Sequence, residues 1–163
     1  MVSFLYRMPA GVPGDVTRPS TSTTEPQQID AAAPPTKYGV FVKLVSGKIR
    51  ALASGDAAGV IYGLLQRPFP TNSANEAIGT ATPPTSGLCD VVVRGYMTVK
   101  LVLGTAAKGG GVFVVTTAGG SVAVGDIVTS TSPAGGGTAV AVANCIFMGA
   151  ADADGNVEIR YNI

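Results

Sequence analysis

The chain has 163 residues, of which 46% are hydrophobic and only 13% charged, with a net charge of +1, two cysteines and no histidine. That length is one ordinary domain with room for a tail, and it can bury a core without disulfides or metal. The basic residues stand singly, which argues against nucleic acid as a ligand, and without histidine neither the common zinc sites nor a Ser–His triad can be assembled.

The mixture is small and turn-rich: 22 glycines, 11 prolines, frequent Val and Thr, and no Trp. It favours short strands joined by turns. A surface this poor in charge suits a protein that lies against other protein, and it equally suits a plain Ala-rich domain.

Residues 1–36 read as an extended arm. Pro9, Pro13, Pro19, Pro26, Pro34 and Pro35 break helices and remove backbone donors. Between them Ser20-Thr21-Ser22-Thr23-Thr24 has no hydrophobic period. Such a segment does not fold alone, and fully extended it reaches on the order of 100 Å. Its first half nevertheless carries Phe4, Leu5, Tyr6, Met8, Val12 and Val16, with Arg7 and Arg18 interspersed. Aromatic, Met and Arg side chains are the types enriched at interface centres. The arm is therefore expected to order on a partner surface.

From residue 37 the pattern changes to short strands. Tyr38-Gly39-Val40-Phe41-Val42-Lys43-Leu44 is followed by a Ser46-Gly47 turn and by Lys48-Ile49-Arg50-Ala51-Leu52, a hairpin with one wet face. Gly59-Val60-Ile61-Tyr62-Gly63-Leu64-Leu65 is a third strand, apolar enough for burial on both faces. Residues 66–87 form a long connection containing Arg67-Pro68-Phe69-Pro70, with room for a short helix over 73–78. Loops of this length are often functional or ordered by a partner. Strands resume over 89–94, 96–103, 111–116, 126–129, 138–143, 145–149 and 157–162. They are punctuated by Gly109-Gly110-Gly111, Gly119-Gly120, Gly135-Gly136-Gly137 and Asp154-Gly155-Asn156. The expected fold is all-β, a small β-barrel or β-sandwich over 37–163 behind the arm of 1–36.

No catalytic constellation emerges. There is no G-x-S-x-G elbow and no S-x-x-K. The acids sit in or beside turns, where Asp bonds to nearby backbone. Lys108-Gly109-Gly110-Gly111 places its Lys ahead of the glycines and a strand behind them, so it is a hairpin tip and not a phosphate loop. Asp152-Ala153-Asp154-Gly155-Asn156 lacks the closing Glu of a calcium loop. Cys89 and Cys145 lie in apolar runs and read as buried free thiols; a disulfide would need an oxidising compartment. The N-terminus lacks the features of a secretory signal, and no stretch approaches a membrane span. The expectation is a non-enzymatic protein with no metal and no cofactor, made in a cytoplasm.

Several runs carry a resemblance. Tyr38-Gly39-Val40-Phe41-Val42-Lys43-Leu44, Ser46-Gly47-Lys48-Ile49, the run from Gly59 to Phe69, Gly95-Tyr96-Met97-Thr98-Val99-Lys100 and Val124-Gly125-Asp126-Ile127-Val128 resemble the bacteriophage structural cement protein family. A proline-rich arm before a small β domain is also similar to lambda-type head decoration proteins, whose β-tulip-like body the resemblance would extend to this chain. It implies a homotrimer at local three-fold positions on the outside of the expanded phage head. It implies the major capsid protein as partner, with neither nucleic acid nor membrane bound. The alternative is a head-fibre or tail adhesin module for a host-surface glycan, against which the lack of Trp counts. The residues expected at the capsid contact are Phe4, Tyr6, Arg7, Met8, Val12, Val16 and Arg18 in the arm, and Arg67 and Phe69 at the long loop.

Overall fold

The computed structural model describes residues 11–68 and 81–162. Its strands are β1 (Thr23–Ile29), β2 (Phe41–Val45), β3 (Lys48–Ala51), β4 (Ile61–Leu65), β5 (Gly87–Leu103), β6 (Gly111–Thr117), β7 (Ile127–Val128), β8 (Thr138–Phe147) and β9 (Asn156–Tyr161). Two short 3-10 turns, at Pro19–Thr21 and Ala58–Val60, are the helical elements among the described residues. The expected all-β class is the observed one.

The strand pairings close two rings of five, and both rings pass through β5. The first runs β1-β3-β2-β4-β5 and returns to β1; the second runs β5-β7-β6-β8-β9 and returns to β5. Each ring has one parallel strand pair, β1–β3 in the first, with Ile29 beside Ile49, and β5–β7 in the second, with Leu101 beside Ile127 and Leu103 beside Val128. Closure removes the exposed edges that make open sheets aggregate.

The alternation of side chains explains why the rings close. Ile29, Val42, Ile49, Leu65 and Val91, one from each strand of the first ring, pack together and are at most 2% exposed. Val99, Val114, Ile127, Val142 and Ile159, at most 6% exposed, pack together likewise in the second ring. That second cluster runs on to Phe41, Leu64 and Val92 of the first ring. The rings of Phe41 and Tyr161 meet edge-on there, with centroids 5.7 Å apart. At the usual worth of a buried aliphatic or aromatic side chain, roughly 1.5–3 kcal/mol each, this shared core dominates the fold's stability.

Gly95 is where β5 passes from one ring to the other. Before it, Val91 belongs to the first cluster and Val92 to the shared one; after it, Met97, Val99 and Leu101 face the shared core. The inward parity therefore changes from even to odd, which a strand with a strict period of two cannot do without a bulge. The bulge lies at Val93, where the register against β1 steps from Thr24–Val92 to Thr23–Arg94, and Gly95 follows it with φ +144°.

Three features differ from the sequence expectation. The arm of residues 1–36, read as unable to fold alone, contains β1, paired along its length with residues 87–94. The strands expected over 89–94 and 96–103 are one, β5, and those over 138–143 and 145–149 are one, β8, bent at Asn144 with φ +51°. The Ser46-Gly47 turn is as read: both residues have positive φ, the two-residue type I′ geometry whose twist suits a hairpin. The helix considered over 73–78 lies mostly outside the described residues.

Candidate partner-binding surface

Residues 11–22 are fastened to the β domain. The amide of Gly14 donates to the Thr98 carbonyl at 2.8 Å, that of Thr98 to Asp15 at 2.9 Å, and that of Thr17 to Tyr96 at 3.1 Å. Gly14 fits because it has no side chain: a β-carbon there would lie 2.7 Å from Tyr38 Cβ and 2.9 Å from Arg67 Cβ. This strap runs along the edge of β5 with Val16 bridged antiparallel to Met97, and Gly11 lies close to the hydroxyl of the buried Thr98.

A polar latch holds the strap's end. Arg18 donates from Nε to Glu158 Oε1 at 3.1 Å and from Nη2 to Oε2 at 2.9 Å. The Thr17 hydroxyl donates to the same carboxylate at 2.5 Å. The Arg18 guanidinium also lies 4.1 Å from the centre of the Tyr96 ring. A bidentate fork stacked on an aromatic face is an arrangement Arg can make and Lys cannot.

Beside the strap is a cleft of about 650 Å³. It borders Val12 and Pro13, Tyr38, Arg67, Lys100 and Val102 on β5, and the turns holding Asp126 and Asp154. Lys37 at its rim lies 3.4 Å from Asp126, and Lys100 donates to the Asp154 carbonyl. Val102 is 38% exposed, open for a valine in the middle of a packed strand system. A second apolar site is Leu88, 77% exposed on β5 opposite Gln28 of β1.

Among the described residues no group of three or more His, Cys, Asp or Glu could hold a metal, and no helix is long and apolar enough to cross a membrane. The ion pairs are structural. Asp56 accepts from Lys43 Nζ at 2.7 Å and from the Ala53 amide at 2.7 Å; Asp30 accepts from Arg50 and from the Ala32 amide. Burial and the neighbouring Asp90 push the Cys89 thiol up to about 11, and burial pushes Cys145 up further. Neither is a poised nucleophile.

The model of the XM1 gp53 minor capsid protein family matches residues 1–161. The chain belongs to that family. This makes it a phage capsid protein with a structural role, found in the virion. A solved structure, "The capsid of Myoviridae Phage XM1", contains a similar chain: 22% identical, covering 98% of this chain and 95% of that one, with a TM-score of 0.68. At that identity the likeness bears on the fold. No curated protein matches.

Within this family member the residues expected at the capsid contact divide into three groups. Phe4, Tyr6, Arg7, Met8 and Phe69 lie outside the described residues. Val12 and Arg67 come together at the cleft. Val16 and Arg18 are turned to internal work: Val16 bridges to Met97 and packs on the core, and Arg18 is held by Glu158 and Tyr96. The reading of single residues missed Lys37, Lys100 and Val102, because the cleft joins turns far apart in sequence. Leu88 could have been found, since it sits at an outward position of an alternating strand.

Proposed function

We propose that this minor capsid protein is a cement protein. It binds the outer surface of the expanded phage head and joins neighbouring major capsid protein subunits, as a homotrimer at local three-fold positions and without enzymatic activity. The observation that carries this reading is the family match across residues 1–161, from the N-terminal segment through the β domain. The closed double ring gives it a rigid body that can bear load, and the low charge suits packing against other subunits. Three linked copies engaging at once turn a weak contact into a strong one. Binding only the expanded lattice stabilises that lattice by mass action.

The test is co-sedimentation of the purified protein with empty heads, unexpanded and expanded, beside a copy lacking residues 1–10. Deletion as far as residue 36 would be the wrong comparison, because it removes β1 and opens the first ring. Saturable binding to expanded heads, weakened by the short deletion, supports the reading. A folded protein that binds neither form refutes it for those heads and brings a glycan-binding adhesin module forward.

A further inference from the structure

The cleft beside the strap has an occupant to account for. Its lining is apolar at Val12, Pro13, Tyr38, Val40, Val102 and Ile127. Its charges nearly cancel, with Lys37, Arg67 and Lys100 beside Asp126 and Asp154; Lys37 is paired with Asp126, Lys100 donates to the Asp154 carbonyl, and Arg67 has a partner of its own. Such a surface does not select an acidic ligand. It selects an apolar segment bearing little charge.

We propose that this cleft seats residues 1–10 of the same chain, with Phe4, Leu5, Tyr6 and Met8 as the side chains it takes. The described chain begins at Gly11, and the next two residues, Val12 and Pro13, already line the cleft, so the segment starts at the cleft's rim. Its composition is complementary, since Arg7 is the one charged side chain in Met1-Val2-Ser3-Phe4-Leu5-Tyr6-Arg7-Met8-Pro9-Ala10. The exposed Asp154 at the rim offers Arg7 a counter-charge. Residues 69–80, flanked by Arg67 and Ala81 of the cleft lining, are a poorer match in composition, with Phe69 and Ile78 as their large apolar residues. A tether this short gives the chain's own segment a far higher local concentration than a second copy can supply. In solution, with no head present, the segment is thus stored on the body, and this goes beyond the head-binding reading.

Full-length Tyr6→Cys/Val102→Cys tests the inference, with Tyr6→Cys/Leu88→Cys as control. Leu88 lies fourteen residues back along the same strand (102 − 88). Both are oxidised with glutathione disulfide at pH 8, where Cys89 and Cys145 hold little thiolate. The expected result is a cross-link within one chain, formed at least about tenfold faster in the 6–102 pair than in the control. Equal rates, or a product of two-chain mass, overturn the inference; the latter would assign the cleft to a sister copy. Matching melting curves of the reduced variants and the parent protein exclude misfolding. Should Val102→Cys fail that check, Tyr6→Cys/Thr82→Cys carries the same test, because Thr82 is an exposed residue of the same cleft. No heads are used, so this result and head binding can fail separately.

Discussion

Ser22 occupies the space that a side chain on Gly95 would need. A β-carbon there would come within 2.2 Å of Ser22 Oγ and 2.8 Å of its Cα, and Gly95 has φ +144°, a conformation that L-residues rarely adopt. It stands two residues after Val93, the bulge that switches the inward face of β5. Gly95→Ala therefore meets a clash and backbone strain at once, together worth about 1–3 kcal/mol. Urea unfolding should show a lower midpoint with an unchanged slope. A variant as stable as the parent would remove Gly95 as the junction of the two rings.

Much of the fold is legible where the interaction is local. The Ser46-Gly47 hairpin, the apolar run ending at Leu64-Leu65 and the Asp154-Gly155-Asn156 turn all announce themselves within a few residues. Strand β1 does not, because its main partner, residues 87–94, lies far along the chain and two of its three inward positions, Glu25 and Gln27, are polar. Glu25 and Gln27 face Tyr62 instead of an apolar core: the Tyr62 hydroxyl donates to Glu25, and Gln27 Nε2 donates to Tyr62 at 3.0 Å. Pairing with β5 makes that tract a strand, and no period within it could signal this. The bends at Gly95 and Asn144 read as strand ends for a related reason, since a bulge and a turn share the same residues. Of the contact residues, Val12 and Arg67 meet at the cleft because the Arg67 amide, just past β4, donates to the Gly14 carbonyl of the strap at 2.9 Å.

The latch should matter to the strap more than to the whole fold. Arg18 is about half exposed, and exposed ion pairs contribute about 0–1 kcal/mol. Glu158→Gln keeps the shape and removes the charge. Its melting temperature should barely move, while the amides of Gly14 and Thr17 exchange hydrogen measurably faster. Unchanged protection of those two amides would show that backbone hydrogen bonds alone hold the strap.

Acid should loosen the first ring through two aspartates. Burial alone would raise Asp56, but the Ala53 amide and Lys43 outweigh it and hold the carboxyl below its ordinary value of 3.8. The Ala32 amide and Arg50 hold Asp30 below it as well. A carboxyl lowered in the folded state contributes stability above its unfolded value and loses it as pH falls through the folded value. Asp56→Asn should therefore melt well below the parent at pH 6, with the gap closing below about pH 3. A gap that stays constant down to pH 2 would mean that Asp56 acts through packing alone.

The two thiols should be separable by reagent. Cys89 is half-buried beside the Gln27 carbonyl, with its thiol raised to about 11, and Cys145 is buried in the shared core. At pH 8 an aromatic disulfide reagent should modify Cys89 slowly and Cys145 only on unfolding. Equal rates for the two would contradict the packing of β8 against β9.

Leu88 and Phe147 give opposite predictions from residues of similar hydrophobicity. Phe147 is 1% exposed in the shared core, so Phe147→Ala should cost about 3–5 kcal/mol. Leu88 is 77% exposed, so Leu88→Ser should change stability by less than about 0.5 kcal/mol. An apolar side chain that contributes nothing to its own fold is free to serve a partner. If the face bearing Leu88 meets the capsid, Leu88→Ser should weaken co-sedimentation with expanded heads by about tenfold, in line with the loss of one well-packed anchor. Chemical denaturation reads the first pair of effects and the head-binding isotherm the second. Undiminished binding by a stably folded Leu88→Ser would leave the strap and the cleft as the side of the molecule facing the shell.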